Sequence, residues 1–122
     1  MANEELLYQI SLLEQEAKNM EDNIKAVNEQ ISEFETLKLS LGSLDKEILA
    51  GLGKGIFLKS KVEDGSLLVN VGCNILVKKN KTQASSIIDK QIKEMEELKI
   101  KLVSHIEHLN NELNSLVEKA SN

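Results

Sequence analysis

A glycine-rich segment near the middle of the chain is the first feature whose residue types could do chemistry. The run Gly51-Leu52-Gly53-Lys54-Gly55 has the composition of a loop that binds phosphate. Such a loop needs a G-x-x-x-x-G-K-[ST] spacing, and a helix must follow it so that its N-terminus faces the phosphate. This run lacks the spacing, and the alternating pattern after it predicts a strand. We therefore expect a tight turn between two strands.

His105 and His108 lie three residues apart in a helical pattern and could share a metal ion. A site needs further ligands, and Glu112 is only weakly placed to supply one, so solvated surface histidines are the better interpretation. Cys73 is the single cysteine, which excludes an internal disulfide and a cysteine-based zinc site. No histidine lies near it in sequence to activate it as a nucleophile. The sequence predicts no catalytic residue, no metal and no cofactor, and so no enzyme.

The charge of the chain is unevenly distributed along its 122 residues. Residues 1–45 carry three lysines and ten acids, residues 46–82 carry seven lysines and three acids, and residues 83–122 carry five lysines and seven acids. A net charge of −5 argues against nucleic acid as a partner, because neutralisation of phosphates drives that binding. The basic middle is interpreted as a sheet edge guarded by lysines, or as a docking surface for an acidic partner.

The N-terminal residues are polar and acidic, and no apolar run approaches the roughly 20 residues that span a membrane. The sequence therefore predicts a cytoplasmic protein that does not enter membranes. Aromatic residues make up 2% of the chain and proline is absent, which favours long helices over an aromatic-rich globular core.

Apolar residues in the N-terminal third follow a heptad repeat without a skip. One row is Leu6, Leu13, Met20, Val27, Phe34 and Leu41, and the other is Ile10, Ala17, Ile24, Ile31 and Lys38. The pattern predicts a helix over residues 4–41, with Asn3 as its N-cap and Gly42 as its end. Only Lys38 interrupts the apolar seam.

The C-terminal third repeats this pattern, and Thr82, Ser85 and Ser86 suit the start of its helix. Its rows are Ile88, Met95, Leu102, Leu109 and Leu116, and Ile92, Lys99, Ile106, Leu113 and Ala120. The two seams can bury against each other as an antiparallel coiled coil. Pairing residues whose numbers sum to about 126 leaves fewer residues unpaired than a sum of 133. Pairing between separate chains stays open.

In either register Lys38 and Lys99 face apolar residues, and we expect their ammonium groups to reach water. A single polar residue in each seam also disfavours slipped registers. Both lysines are therefore interpreted as residues that fix the register.

Residues 46–82 change to a period of two, which predicts strands near 47–51, 55–62, 66–71 and 74–79. Asp64-Gly65 lies between two alternating runs and indicates a hairpin turn, and Gly72-Cys73-Asn74 marks another break. We expect the four strands to form one small open sheet with free edges. The predicted fold is α+β: a long two-helix antiparallel coiled coil with a four-strand, two-hairpin β insertion at its turn.

This order of elements, together with the middle segment, resembles the α-class subunits of prefoldin. The resemblance is carried by the short strand near 47–51, the glycine-rich turn, the Phe57 strand with alternating lysines at Lys59 and Lys61, and the Val71-Gly72 hairpin. It covers the whole chain in architecture and about 30 residues in motif. Ala50 departs from the family, which usually has proline there. The domain prediction is one prefoldin-like domain over 1–122, with arm 1 at 1–45, a β-hairpin oligomerisation module at 46–82 and arm 2 at 83–122.

The resemblance implies a chaperone that works without ATP, holding unfolded protein at the distal ends of the helices and passing it to a group II chaperonin. The residues predicted for client binding are Leu6, Leu7, Tyr8, Ile10, Leu12, Leu13, Leu113, Leu116, Val117 and Ala120. Four of these residues lie off the heptad seams, as loose and non-specific binding of unfolded chains requires: Leu7, Tyr8, Leu12 and Val117. The alternative is that Leu7 and Val117 only broaden the seams.

The resemblance also implies assembly through the β module, by self-association, with a β-class prefoldin subunit, or both. The residues predicted for this contact are Ile48, Leu49, Ile56, Phe57, Leu58, Leu67, Leu68, Val69, Val71, Ile75, Leu76 and Val77. Two alternatives to the chaperone remain at this point. One is a structural protein that polymerises into a filament through its hairpins, and the other is a coiled-coil adaptor with one fixed partner.

Overall fold

The computed structural model describes residues 2–44 and 46–121, so that Asp45 and the two terminal residues, which fall within the predicted arms, lie outside the described part. The elements follow in the order α1 (Ala2–Gly42), β1 (Glu47–Gly53), β2 (Ile56–Lys61), β3 (Leu67–Asn70), β4 (Leu76–Lys79) and α2 (Lys81–Ser121). Two long helices with two antiparallel hairpins between them confirm the predicted fold class.

The described residues form two compact units. The helical unit comprises residues 2–32 of α1 and 93–121 of α2. Its core is the heptad seam: Ala17, Val27 and Leu109 are buried, and the other apolar seam residues in this unit are half-buried. The predicted periodicity therefore selects the residues that this unit buries. Lys99 is half-buried in the same seam.

The second unit, residues 33–92, contains both hairpins and the adjoining ends of the helices. Leu41, Ala84 and Ile88 form its buried core. Phe34, Leu44, Leu67 and Ile92 pack against this core. Leu67 of β3 therefore packs on the apolar core that the two helices form in this unit, and this contact attaches the second hairpin to the helices.

The contacts between α1 and α2 lie within one chain. Lys38 Nζ donates to Asp89 Oδ1 at 2.6 Å in the second unit, and His105 Nε2 lies 3.4 Å from Glu16 Oε1 in the helical unit. These pairs have number sums nearer to 126 than to 133, in agreement with the preferred register. The Lys38 side chain is 46% exposed, so its ammonium group reaches solvent as expected, and it also pairs with a carboxylate of the facing helix.

The four strands divide into two separate two-stranded sheets, so the expectation of one open sheet is wrong. β1 pairs with β2 and β3 with β4, whereas β2 and β3 do not pair. Asp64-Gly65 is accordingly a link between sheets and not a hairpin turn. The composition of Asp64-Gly65 specifies a turn but not which strands pair on either side of it. Asp64 Oδ1 accepts the backbone N–H of Ser66 at 3.0 Å, which closes the turn locally, whereas strand pairing depends on contacts distant in sequence.

Both hairpins close on two residues with positive φ, as type I′ turns require. Lys54 and Gly55 have φ of 52° and 80° in the first, which confirms the tight turn predicted for the glycine-rich run. Cys73 and Asn74 have φ of 51° and 60° in the second, where Ile75 N donates to Gly72 O at 2.9 Å. The first hairpin also contains a bulge between Gly51 and Gly53.

The helix ends differ in part from those predicted. α1 ends at Gly42 as expected, but Asn3 lies inside the helix and does not cap it. α2 begins one residue before Thr82 and is capped by Asn80, whose Oδ1 accepts the N–H of Gln83 at 2.8 Å. The Gln83 side chain accepts the N–H of Asn80 at 3.0 Å in return. This capping box leaves Thr82, Ser85 and Ser86 within the helix.

Candidate functional site

The start of α1 separates its apolar residues into two faces. Leu6, Ile10 and Leu13 are half-buried in the seam, as the heptad requires. Leu7 and Tyr8 are 59% and 66% exposed, and Leu12 is also exposed. Large apolar side chains in the first turns of this helix therefore face solvent within the chain.

The end of α2 shows the same division on a smaller scale. Leu113, Leu116 and Ala120 are half-buried in the seam, and Val117 beside them is 47% exposed. We call Leu7, Tyr8, Leu12 and Val117 the exposed tip residues. The other six residues predicted for client binding belong to the seam of the coiled coil. Because Leu7 and Val117 remain exposed, neither is buried as part of a broader seam in this chain.

The two histidines each have a carboxylate of their own. His105 faces Glu16 across the helix pair, and His108 lies 3.1 Å from Glu112 one turn along α2. Within residues 2–44 and 46–121, no group of three or more His, Cys, Asp or Glu side chains is placed to hold a metal ion. The arrangement is that of two exposed histidine–glutamate contacts.

The first hairpin exposes apolar side chains on both of its faces. The ladder sets Leu49 opposite Lys59 and Gly51 opposite Phe57 on one face, and Ile48 opposite Ser60 on the other. The large apolar side chains of this hairpin that are more than half exposed are Leu49, Leu52, Ile56, Phe57 and Leu58. A two-stranded sheet is marginal in water, and two apolar faces add to the surface that requires a partner.

The second hairpin has one face on the core and one face in solvent. Leu67, Val69 and Val77 are half-buried, which agrees with the packing of Leu67 on the helix core. The large apolar side chains left more than half exposed are Leu68, Val71, Ile75 and Leu76. The twelve residues predicted for assembly therefore fall on two hairpins that are not paired with each other.

A groove of about 350 Å³ runs between β3 and the helix ends in this unit. All four residues of β3 line it, together with apolar side chains of both helices such as Leu37 and Ile87. Since β3 pairs only with β4, one edge of β3 is unpaired. An unpaired strand edge beside an apolar groove is a suitable place for another strand to be added.

The link between the hairpins carries the one resolved pKa shift among the described residues. Hydrogen bonds from Ser66 lower the pKa of the Asp64 carboxyl, and Lys78 at 3.4 Å lowers it further. The Asp64 side chain is 65% exposed, so its lowered pKa reports local hydrogen bonding and not a reactive site. Cys73 is also exposed. The surfaces suited to binding are therefore the exposed apolar side chains of the two hairpins and of the helix ends.

Sequence reasoning did not single out Leu39, Leu52 or Ile100, which are 77%, 68% and 69% exposed. Leu52 occupies the bulge of β1 without a partner in β2. An apolar residue between two glycines was the available signal for it. Leu39 and Ile100 lie off the heptad rows, and nothing else in the sequence distinguishes them.

No helix in the described residues is both long and apolar enough to cross a membrane.

The family model for the prefoldin subunit matches residues 13–122. Prefoldin subunit alpha 1 of Thermococcus kodakarensis is 34% identical over 97 residues, which cover 75% of this chain and 66% of that protein. Prefoldin subunit alpha of Pyrococcus horikoshii is 28% identical over 124 residues, covering 96% and 84%.

A solved structure has the same fold. A chain from the cryo-EM structure of filamentous PFD from Methanocaldococcus jannaschii superposes with a TM-score of 0.56 and 24% sequence identity, over 95% of each chain. At this identity the likeness concerns the arrangement of helices and hairpins.

Proposed function

This chain belongs to the prefoldin family of non-enzymatic, oligomeric chaperones, and we propose that it holds unfolded protein at its exposed tip residues without consuming ATP. The observation that carries the proposal is the exposure of Leu7, Tyr8, Leu12 and Val117 at the free ends of the helices. These side chains are large and apolar, and they lie beside a seam that already satisfies the packing of the coiled coil.

Hydrophobic burial explains why such residues suit an unfolded client. It contributes about 25 cal/mol per Å² of apolar area and has no directional requirement, so many different sequences can be held. A few side chains on one pair of helices give a weak and reversible contact. Several chains in one assembly raise the overall affinity through multivalency. Release of the client to another machine then needs no chemical step.

Assembly of the chain is proposed to occur through its two hairpins. Each strand has one unpaired edge, and both hairpins expose apolar side chains that a neighbouring subunit could bury. The proposed partners are further copies of this chain, a β-class prefoldin subunit, or both. Transfer of clients to a group II chaperonin and a cytoplasmic location complete the proposal, both by analogy with the family.

The direct test is suppression of aggregation by the assembled protein. A chemically denatured test protein is diluted into buffer with the purified assembly, in the absence of nucleotide, and light scattering is followed. The proposal predicts that scattering falls as the assembly is added, and that adding ATP changes nothing. Aggregation at the rate seen with an inert protein of similar charge would contradict it.

A filament-forming structural protein is the second candidate, favoured by the unpaired strand edges of two independent sheets. An interface that does not close into a ring generates an open filament. Electron microscopy of the protein alone separates the two candidates. Closed particles would exclude the filament, and a requirement for a β-class partner before any particle forms would exclude homo-assembly.

A further inference from the structure

The two hairpins differ in how they are attached to the helices. Leu67 of β3 packs on the core that Leu41, Ala84 and Ile88 form. One residue, the helix cap Asn80, separates the end of β4 from the start of α2. The second hairpin is therefore held against the helices through both of its strands.

The first hairpin lacks an attachment of this kind. Among the described residues, it contributes none to that core and none to the side chains packed against it. Within its two strands only Ile48, Ala50 and Ser60 are half-buried, and the other residues are exposed. Ile48 lines a cleft of about 360 Å³ together with Leu44 and Leu67, so it borders open space on the side of the core. The first hairpin must therefore depend on its own strand pairing.

The residues of the first hairpin make that pairing weak. Gly51 and Gly53 lie within β1 and Gly55 lies in the turn, and glycine loses more conformational freedom on ordering than any other residue. Lys54 has a φ of 52°, in the left-handed region that a side chain disfavours. A two-stranded hairpin without further packing is marginal in water even when its turn is favourable.

We propose that the first hairpin is mostly open in the unassembled chain and becomes ordered when a neighbouring subunit covers it, whereas the second hairpin is already formed. This inference rests on the proposed assembly through the hairpins and adds a regulatory step to it. A binding element that is closed in only a fraction of the chains weakens the apparent affinity by that fraction. The stability of the first hairpin therefore sets the concentration at which the chains assemble.

The turn of the first hairpin provides the test, because one substitution changes its stability without altering the strands. Lys54→Asn creates Asn-Gly, the pair that type I′ turns prefer. The concentration of half-assembly is expected to fall about fivefold or more, since the closed fraction rises by about that factor. Lys54→Gln removes the same charge without favouring the turn and is expected to assemble like the wild type.

Sedimentation velocity of the full-length protein over a dilution series measures this concentration. The series is run in the lowest urea concentration at which the wild type dissociates on dilution. Where assembly requires a β-class subunit, that subunit is kept in excess throughout.

The second hairpin offers a matched control. Cys73→Asn/Asn74→Gly places the same Asn-Gly pair in the other type I′ turn. Because that hairpin is already closed, its population cannot rise further, and the concentration of half-assembly is expected to stay unchanged. Hydrogen exchange of the dissociated chain is expected to show little protection of the β1 and β2 amides and clear protection of the β3 and β4 amides. Both sets are expected to be protected in the assembly.

Four results would overturn the proposal while leaving assembly through the hairpins intact. They are a Lys54→Asn variant that assembles like the wild type, an equal gain in Lys54→Gln, an equal gain in Cys73→Asn/Asn74→Gly, and equal protection of the two hairpins in the dissociated chain. A chain that does not assemble at any concentration, alone or with a β-class subunit, would contradict the assembly itself and with it this proposal.

Discussion

Cys73 holds a backbone conformation that its side chain disfavours. Its φ of 51° lies in the left-handed region, where a non-glycine residue costs about 1–2 kcal/mol, and Asn74 follows at 60°. Asn-Gly is the pair that type I′ turns prefer at these positions.

The variant Cys73→Asn/Asn74→Gly is expected to stabilise the second hairpin by about 1 kcal/mol, because it removes this conformational cost. Hydrogen exchange of the Ile75 amide, which donates to Gly72 O, measures the effect locally, and its protection is expected to rise about fivefold. Cys73→Ser is the matched control, since serine meets the same cost. Equal protection in the wild type and the double variant would show that the turn is not strained.

Asp64 is a second residue whose local contacts predict a measurable property. Its lowered pKa means that the carboxylate is more favourable in the folded chain than in the unfolded one. Its contribution to stability is therefore present above pH 3.8, the ordinary value, and is lost as pH falls through the lower folded pKa.

An NMR titration of Asp64 is expected to give a midpoint below 3.8. Lys78→Gln raises this midpoint, because it removes the ammonium group 3.4 Å from the carboxylate, while Lys79→Gln leaves it nearly unchanged. A midpoint that ignores Lys78 would indicate that the ion pair does not form in solution.

At the scale of elements, the start of α2 depends on the capping box formed by Asn80 and Gln83. The sequence pattern favours Thr82, Ser85 and Ser86 for this position, because they carry hydroxyl groups near the start of the helix. Asn80→Ala is expected to cost about 1 kcal/mol of unfolding free energy, because the N–H of Gln83 loses its acceptor. Thermal or denaturant unfolding measures this loss. Asn80→Ser retains an acceptor and Thr82→Ala removes none, so both are expected to be close to the wild type. A larger effect at Thr82 than at Asn80 would assign the cap to the residue that sequence reasoning chose.

The helices were predictable because their information is local and periodic. Val27 is buried because it occupies one of the apolar positions that recur every seven residues. Tyr8 and Leu12 lie outside these positions and are therefore off the seam. The sheet pairing was not predictable in this way. Asp64-Gly65 has the composition of a hairpin turn, but which strands pair depends on contacts distant in sequence, and the local hydrogen bond of Ser66 is compatible with either outcome.

At the scale of the whole molecule, the two helices are acidic, whereas the two hairpins are basic and expose apolar side chains. The sequence indicated this division from charge and period, and membership of the prefoldin family agrees with it. The exposure of the tip residues follows from their positions off the heptad rows, and the exposure of Leu39 and Ile100 follows from the same rule. The structure supplies these two as a comparison for the tips, because they are exposed apolar side chains elsewhere on the same two helices.

The most direct measurement compares two sets of substitutions in the aggregation assay. The tip variant Leu7→Gln/Tyr8→Gln/Leu12→Gln/Val117→Gln removes the exposed tip residues with a good helix former. The control variant Leu39→Gln/Leu98→Gln/Ile100→Gln removes exposed apolar side chains elsewhere. Light scattering of each protein alone verifies that assembly size is unchanged.

Holding at the tips predicts that the tip variant needs about tenfold more protein for half-suppression of aggregation, as expected from losing over 1 kcal/mol of apolar contact per client. The control variant is predicted to match the wild type. A tip variant that suppresses aggregation as well as the wild type, or a control variant that is equally impaired, would contradict the assignment of client binding to the ends of the helices.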